Sequence, residues 1–482
     1  MSKLTRRELL EDALWAATVA ATAGAAQGRV WAQQANPGRK IGPNDQVRIA
    51  VIGVRGRGRD HLAGYAKLPD VQIAAVCDTD LNVVPDALKI VTKAGRPEPK
   101  VVQDLRRIMD DPSIDAVSIA TPNHWHSLAG IWAMQAGKDV YVEKPVSHNV
   151  HEGRVLVDTA RKYKRICQAG TQIRSQPGSR DAIQYIHDGK IGKVEIARGL
   201  CYKPRGSIGK MHPGMVPQGV DYNLWVGPAP MYPYQENKFH YNWHWLWETG
   251  NGDLGNQGIH QMDVARWGLN KSTMPASVLG FGGRLSYQDD GETPNTEVIV
   301  MDYGDGQQLI FEVRGLKTND YRGAKIGNVF HGTDGYVVLT SYTGGAAFDK
   351  DGKMVTTFQG AADHFRNFID CMRSRKVEDL HGEIAEGHLS SALCHLGNVS
   401  YRLGEPVSFG QKPRALENNE AGMETLQRFE QHLAENGVDM QQSQYRLGRK
   451  LTIDPAKERF KGDKEANAML FRHYRAPFVV PE

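Results

Sequence analysis

The sequence predicts an α/β protein in which a doubly wound parallel sheet precedes a second α/β domain built on an open, largely antiparallel sheet. Three observations support this prediction. The apolar, β-branched run Val47–Ile52 leads through a glycine turn into a helical pattern. Strand and helix patterns then alternate, with short loops, as far as about residue 170. Beyond that point, apolar and alternating segments follow one another in the manner of antiparallel strands.

The first domain is predicted to contain five strands, at residues 47–52, 71–77, 116–120, 140–142 and 165–169. The helical patterns between them cover residues 59–67, 81–94, 105–110, 124–136 and 150–163. Ligands of such sheets bind beyond the carboxyl ends of the strands. The loops at residues 53–58, 78–80, 121–126 and 143–145 should therefore converge on one crevice.

The second domain is predicted to open with a helix at residues 178–188 and a strand at residues 194–202. An irregular, aromatic stretch follows at residues 203–250, and then a helix at about residues 256–267. Further strands are expected at residues 276–287, 296–303, 308–314 and 336–341, and helices at residues 361–373 and 384–403. The second of these helices is expected to return to the first domain. We divide the chain into a leader (residues 1–45), two domains (46–170 and 171–410) and an extension (411–482) whose apolar end docks on the body.

Composition excludes several classes of function. The 482 residues carry a formal net charge of only +4, and no run of lysine or arginine appears, so we expect no nucleic-acid partner. Five scattered cysteines show no metal-ligand spacing, and we interpret all of them as thiols. No metal site is predicted.

The amino terminus predicts export. Residues 5–10, Thr-Arg-Arg-Glu-Leu-Leu, resemble a twin-arginine signal, and an alanine-rich apolar segment follows at residues 13–26. That segment is too short and too weakly apolar to form a stable membrane span. We therefore expect a periplasmic or otherwise exported protein that uses the twin-arginine machinery, with cleavage possible after Ala32. The alternative is an amphipathic helix with a chance Arg-Arg pair.

The glycine turn predicts a dinucleotide site. Gly53, Gly56 and Gly58 lie between a strand and a helix, an arrangement that aims backbone N–H groups at a pyrophosphate. In Gly-x-Gly-x-x-Gly read from Gly53, Arg55 replaces the middle glycine. Either Gly56 allows the close approach instead, or the Arg55 side chain folds away from the phosphates.

Asp78 predicts the cofactor type. It ends the second strand at the interval expected for a carboxylate that binds the adenosine ribose hydroxyls. A carboxylate there repels a 2′-phosphate, so NAD is favoured over NADP. Arg57 or Arg59 could soften that preference.

Two stretches contain candidate proton-transfer residues. Lys144, in Glu143-Lys144-Pro145, follows a strand and can share a proton with a substrate hydroxyl if burial lowers its pKa. Asn256, His260 and Asp263 have the spacing of one helix face, where His260 can act as an acid or base. The alternatives are an ordinary strand-end lysine and a helix-surface histidine.

These motifs together resemble the glucose–fructose oxidoreductase/inositol dehydrogenase (Gfo/Idh/MocA) family over about residues 47–405. The resemblance implies a Rossmann domain paired with an α/β domain, and it implies that Lys144 and His260 act on the hydroxyl being oxidised. Relatives often carry aspartate where this chain has Asn256. Either His260 works without that carboxylate, or the carboxylate of Asp253 or Asp263 takes its place.

The resemblance also implies cofactor and substrate contacts. The turn at residues 121–123 resembles the family's cofactor-contacting loop, which makes His124 and His126 crevice lining rather than metal ligands. Arg174 is expected to reach the substrate. The predicted cofactor-binding residues are Gly53, Arg55, Gly56, Arg57, Gly58, Asp78, Thr121, Asn123, His126, Glu143 and Lys144.

An aromatic stretch is predicted to line the substrate site. Trp243, Trp245 and Trp247 alternate as on one face of a strand, and aromatic faces suit the C–H faces of a sugar ring. Buried packing is the alternative interpretation for two of the three. The predicted substrate residues are Arg174, Trp243, Trp245 and Asp263.

The sequence as a whole predicts an NAD-dependent oxidoreductase acting on a CH–OH group of a sugar, polyol or glycoside. Because an exported enzyme has no expected supply of free NAD, we predict a retained cofactor and redox-neutral turnover. One alternative is a glycoside-cleaving enzyme that works by transient oxidation and elimination. The other is a non-catalytic sugar-binding protein of the same fold. A homo-oligomer is expected.

Overall fold

The computed structural model describes residues 41–42 and 44–481. The predicted export signal at residues 5–10, the apolar segment after it and the cleavage position at Ala32 lie outside the described residues. No helix in the described part of the chain is long and apolar enough to cross a bilayer.

The first domain is built on a six-stranded sheet, and the predicted parallel arrangement is confirmed. Its strands are β1 (Val47–Ile52), β2 (Val71–Cys77), β3 (Lys100–Val102), β4 (Ala116–Ile119), β5 (Asp139–Val142) and β6 (Cys167–Ala169). They lie side by side in the order β3-β2-β1-β4-β5-β6, and each pairing is parallel. The strand order reverses between β1 and β4, and a ligand crevice is expected at that switch point.

Helices cover both faces of this sheet. They are α1 (Arg57–Ala66), α2 (Val84–Lys93), α3 (Arg106–Asp110), α4 (Asn123–Gln135) and α5 (Val150–Tyr163). Asn149 caps the amino terminus of helix α5, because its side chain accepts a hydrogen bond from the Glu152 N–H. The sequence did not predict β3, because only three residues pair there and two of them are exposed at the sheet edge.

The second domain is built on a larger mixed sheet. Its strands are β7 (Val194–Cys201), β8 (Ser277–Gly283), β9 (Thr296–Asp302), β10 (Gln308–Arg314), β11 (Ile326–Gly332), β12 (Gly335–Ser341), β13 (Gly344–Asp349), β14 (Met354–Gln359), β15 (Glu405–Ser408), β16 (Gln444–Leu447), β17 (Leu451–Asp454) and β18 (Arg459–Phe460). The main path runs β14-β13-β12-β11-β7-β10-β9-β8-β16-β15. Strands β7 and β10 pair in parallel, and the neighbours of both on either side are antiparallel, so the largely antiparallel sheet is confirmed.

Helices enclose this sheet and join it to the first domain. They are α6 (Pro177–His187), α7 (Tyr222–Val226), α8 (Ile259–Gly268), α9 (His364–Ser374), α10 (Ile384–Arg402), α11 (Glu420–Glu435) and α12 (Lys464–Ala468). Helices α8 and α10 pack on one face, and α11 packs on the other, where Phe429 meets Phe281. Helix α10 also contacts α5 and β6, so it returns to the first domain as expected.

The carboxyl-terminal extension is part of the second sheet. Strand β16 pairs with β8 and β15, and β17 also pairs with β8. The last residues then cross to the first domain, where the buried Phe478 ring lies 5.4 Å from that of Trp125. The extension predicted at residues 411–482 is therefore built into the sheet as well as docked on the body.

Candidate active site

One cavity of about 590 Å³ lies beyond the carboxyl ends of β1, β4 and β5, at the predicted crevice. Its adenosine end is lined by Asp78, Asp80, Gln103 and Leu105. Its other end, which we call the substrate end, is lined by Lys144, Lys203, Asn256, His260 and Tyr342. The volume lies within the range typical of pockets that hold small molecules.

The glycine turn forms part of the cavity wall. A Cβ on Gly53, whose φ is +83°, would lie 2.6 Å from the Ala120 carbonyl oxygen. A Cβ on Gly58 would lie 1.8 Å from the Gly53 carbonyl oxygen, so Gly58 lets α1 pack against the turn. Gly56 lines the cavity, and a Cβ there would meet nothing within 4 Å. Two glycines are therefore required by packing, whereas Gly56 and Arg55 face the space where a pyrophosphate is predicted.

Asp78 supports the turn and faces the cavity. Its Oδ2 accepts from the Val54 N–H at 2.8 Å, and its Oδ1 accepts from the Asp80 N–H at 3.0 Å. These two hydrogen bonds favour the charged form of Asp78, but burial outweighs them and raises its pKa to about 6. Each carboxylate oxygen keeps a free lone pair, so ribose hydroxyls can still donate to Asp78.

Glu143 is the anchor of a buried polar network. It accepts from Arg57 Nε at 2.9 Å and from His61 Nε2 at 3.1 Å, while His61 Nδ1 lies 2.8 Å from Ser118 Oγ. Burial opposes the charge on Glu143, but Arg57, His61 and Lys144 outweigh it and hold the pKa of Glu143 well below its usual range. The predicted cofactor residues Arg57 and Glu143 thus pair with each other at the base of the cavity.

Lys144 and His260 come together at the substrate end. Lys144 Nζ donates to the Asn256 carbonyl oxygen at 2.7 Å. Burial lowers the pKa of Lys144, Glu143 raises it in part, and Arg57 and Lys203 lower it further. His260 is 4% exposed, and its Nδ1 has no hydrogen-bond partner among the described residues. Burial and the charge of Lys144 hold the pKa of His260 well below its usual value, so the imidazole is neutral.

The helix face predicted for Asn256, His260 and Asp263 needs correction. Asn256 lies in a π-helical turn, Leu254–Gly258, that precedes α8. Asp263 points away from the cavity and is paired with Arg174, with Nε–Oδ2 at 2.8 Å. Both side chains are buried outside the cavity lining, so neither is kept as a substrate contact.

Asp253 cannot serve as a free carboxylate for His260 either. Arg205 binds it through two hydrogen bonds, Nε to Oδ2 at 2.8 Å and Nη2 to Oδ1 at 2.6 Å. Because Arg174 neutralises Asp263 in the same way, neither predicted substitute is available as an anionic partner of His260.

The loop at residues 121–126 meets the cavity as predicted, except for one histidine. Thr121, Asn123 and His126 line it, and Thr121 Oγ1 is buried without a partner among the described residues. The ring nitrogens of His126 lie 2.6 Å from the Pro145 carbonyl oxygen and 2.8 Å from that of Thr121. His124 is buried outside the cavity lining, against the Trp225 carbonyl oxygen, so it does not line the crevice.

The aromatic stretch is helical rather than extended. Residues His240–Trp245 form a 3₁₀ helix, so the predicted strand is wrong. Trp243 lines the cavity and stacks on His244, with centroids 3.5 Å apart. Trp245 is buried outside the cavity lining beneath the Arg205 guanidinium, 5.1 Å from the ring. The packing interpretation therefore holds for Trp245, and Trp243 alone of these two lines the cavity.

Other cavity residues were not predicted from the sequence. Most of them come from the irregular stretch and from strand ends, where spacing carries no signal, and Gln257 comes from the π-helical turn: Lys203, Leu224, Trp225, His240, Tyr241, His244, Gln257 and Tyr342. The segment that contains most of them is fixed to the first domain, since the Asp221 N–H donates to the Thr79 carbonyl oxygen at 2.8 Å. It forms part of the wall of the cavity at the adenosine end.

The cavity fits a dinucleotide. Gly56 leaves open space at the turn, and Asp78 lines the cavity with acceptor positions that its two backbone hydrogen bonds do not use. The described residues contain no group of three or more potential metal ligands.

Comparisons with known proteins match both domains of the chain. Residues 47–171 match the model of an oxidoreductase family with an NAD-binding Rossmann fold, and residues 193–432 match that family's C-terminal α/β domain. Among solved structures, the WlbA dehydrogenase from Bordetella pertussis, in complex with NADH and UDP-GlcNAcA, is 18% identical with a TM-score of 0.56. The alignment covers 74% of this chain and 97% of that one. A levoglucosan dehydrogenase in complex with NADH and levoglucosan is 19% identical with a TM-score of 0.55, covering 73% and 96%.

Curated relatives match over shorter stretches. A glycosyl hydrolase family 109 protein of Saccharopolyspora erythraea is 32% identical over 206 residues, which is 40% of this chain and 45% of that protein. An alpha-N-acetylgalactosaminidase of Shewanella oneidensis is 32% identical over 152 residues, 31% of this chain and 33% of that protein. The chain thus matches less than half the length of these relatives. The two family models together span both domains, and the chain belongs to the Gfo/Idh/MocA oxidoreductase family.

Proposed function

We propose that this protein is an NAD-dependent oxidoreductase that oxidises a CH–OH group of a sugar, polyol or glycoside. The observation that carries the proposal is the meeting of Lys144 and His260 at the substrate end of a cavity whose other end is built for a dinucleotide. NAD is favoured over NADP because Asp78 and Asp80 line the adenosine end, where two carboxylates oppose a phosphate.

The chain's residues divide the proton chemistry between them. Lys144 donates one hydrogen bond to the Asn256 carbonyl oxygen. Its remaining N–H groups can donate to the substrate hydroxyl oxygen, where negative charge develops. Neutral His260 lines the same end of the cavity, and its imidazole is the group assigned to accept the hydroxyl proton. When bound, NAD would supply the hydride acceptor.

A retained cofactor suits both the proposed export and the adenosine end, where residues of the second domain are hydrogen-bonded to the first. We propose that the protein is exported with NAD already bound and turns over without net redox change. Replacing Arg6 and Arg7 with lysine should leave the protein in the cytoplasmic fraction. Export that persists in this variant would contradict the twin-arginine assignment.

Glycoside cleavage by transient oxidation and elimination is the second candidate. Two observations favour it: the curated relatives named for glycoside hydrolysis, and the pairing of Asp253 and Asp263 with arginines, which leaves neither carboxylate as a partner of His260. Incubation with methyl glycosides, followed by product analysis, separates the candidates. Methanol release with unchanged NAD content supports cleavage, an oxidised sugar supports the dehydrogenase, and neither product from any glycoside that binds would support a sugar-binding protein.

A further inference from the structure

Tyr241 lies in the cavity wall and contacts Asn256, which lines the substrate end, and Arg205, which lies outside the cavity lining. Its side chain is 45% exposed, and its ring lines the cavity. Arg205 Nη1 donates to the Tyr241 oxygen at 3.0 Å, and Asn256 Nδ2 donates to it at 3.1 Å. Both acceptor positions of the phenol oxygen are therefore filled by N–H groups.

Asp253 fixes the direction of these hydrogen bonds. A guanidinium has no acceptor, so Arg205 can only donate. Asn256 Nδ2 also lies 3.3 Å from Asp253 Oδ1, and a carboxylate can only accept. The amide nitrogen must therefore face this side, giving one hydrogen to Asp253 and the other to Tyr241. Neither neighbour can accept the hydrogen of Tyr241.

The Tyr241 hydroxyl hydrogen is consequently free for a ligand. No acceptor for it is found among residues 41–42 and 44–481, and the group borders the cavity next to Asn256, which also holds Lys144. A ligand oxygen at the substrate end would complete its hydrogen bonding. A ligand ammonium would not, because it offers only donors.

We propose that Tyr241 contacts the substrate and donates a hydrogen bond to one of its oxygens, and that Asn256 is an amide because an amide keeps Tyr241 a donor. This inference rests on the proposed function. A carboxylate at position 256 would accept the Tyr241 hydrogen and turn it away from the cavity. It would also lie against the Asp253 carboxylate, where like charges repel.

The test measures binding of defined sugars to the NAD-loaded protein by calorimetry. The probes are the methyl glycosides of glucose, galactose and N-acetylgalactosamine, each with its monodeoxy analogues. In the wild type, one deoxy position should weaken binding about tenfold, the loss expected for one hydrogen bond. In Tyr241→Phe, the parent glycoside should bind about tenfold more weakly, and that deoxy analogue should bind no worse than the parent.

Two further variants make the test specific. Tyr287 donates to the Arg205 carbonyl oxygen at 3.2 Å from outside the cavity lining, so Tyr287→Phe loosens the same loop without removing the donor. Tyr287→Phe should therefore keep the wild-type difference in affinity between the parent glycoside and the deoxy analogue. Asn256→Asp should also lose the preference for the parent glycoside over the deoxy analogue. It replaces Tyr241→Phe in the test if that variant folds poorly.

The outcomes are distinguishable. If Tyr241→Phe and Asn256→Asp both still bind the parent glycoside more tightly than the deoxy analogue, as the wild type does, the role of Tyr241 is overturned while the proposed function stays intact. If Tyr287→Phe loses the preference for the parent glycoside to the same extent, the role of Tyr241 is also overturned, because support of the loop would then explain the change in binding. Wild-type protein that binds none of the parent glycosides would contradict the proposed function itself, and this role with it.

Discussion

Lys144 shows how single residues set the chemistry of this cavity. Its ammonium is buried beside Arg57 and Lys203, and Glu143 offsets only part of that positive charge. The resulting fall in its pKa brings Lys144 nearer to the range in which a lysine can exchange a proton. The sequence predicted this residue from its place at the carboxyl end of a strand and from the resemblance of Glu143-Lys144-Pro145 to the family's motif. It could not predict Tyr241, since no spacing links that residue to Asn256.

Asp78 should make NAD binding depend on pH. Its pKa is raised to about 6 by burial, so in the cofactor-free protein the carboxyl is protonated below that value. A protonated carboxyl accepts ribose hydroxyls poorly, and NAD affinity should therefore rise as the pH rises through about 6. The contribution of Asp78 to folding stability changes with pH in the opposite direction. It falls as the pH rises, because a raised acid pKa favours the folded state at low pH.

Fluorescence titration of cofactor-depleted protein with NAD tests this prediction. Asp78→Asn should bind NAD more weakly and lose the pH dependence over this range. The same pH dependence in the variant and the wild type would assign the effect to another group and remove Asp78 from the cofactor site.

At the scale of elements, the 3₁₀ helix His240–Trp245 determines which tryptophan meets the cavity. Alternation in the sequence predicted a strand, with Trp243 and Trp245 on the same face. In a helix of about three residues per turn, residues two apart point in different directions. Short helices of this kind depend on tertiary contacts, here the Arg205 guanidinium over Trp245, and such contacts are invisible in a local pattern.

The two tryptophans should therefore respond differently to substitution. Trp243→Ala should weaken sugar binding with little change in folding stability, because that ring is only partly buried at the cavity. Trp245→Ala should cost about 3–5 kcal/mol of folding free energy, the usual range for a buried aromatic ring. Denaturant unfolding and sugar binding of both variants provide the comparison. Equal destabilisation by both substitutions would mean that Trp243 is a core residue as well.

At the scale of the whole molecule, the fold class and the position of the crevice followed from the sequence. Alternating strands and helices determine a parallel sheet, and a parallel sheet determines where its loops meet. Strands β11 and β13 were missed because Gly327, Gly332, Gly344 and Gly345 interrupt their apolar patterns. The roles predicted for Arg174 and Asp263 failed because two charged residues far apart in the sequence neutralise each other in the fold.

The carboxyl-terminal segment should stabilise the adenosine side of the cavity. Phe478 packs on Trp125, which lines the cavity, and Arg475 Nη2 donates to the Asn223 carbonyl oxygen at 2.7 Å. Phe478→Ala should cost about 3–5 kcal/mol of stability and should speed the release of bound NAD. Thermal unfolding and the NAD content after dialysis measure the two effects. Phe471→Ala is the control, since that ring is 47% exposed and lies outside the cavity lining.

The most direct test of the central claim is a single-turnover measurement on the NAD-loaded protein. Methyl glycosides are added, and the absorbance and fluorescence of reduced nicotinamide are followed without any recycling system. We predict that at least one glycoside reduces the bound NAD in the wild type. We also predict that Lys144→Met, with NAD still bound, does so about 10²–10⁴-fold more slowly, the usual cost of losing a positioned acid or base. Reduction at the wild-type rate in both Lys144→Met and His260→Ala, or no reduction by any glycoside that binds, would contradict the claim.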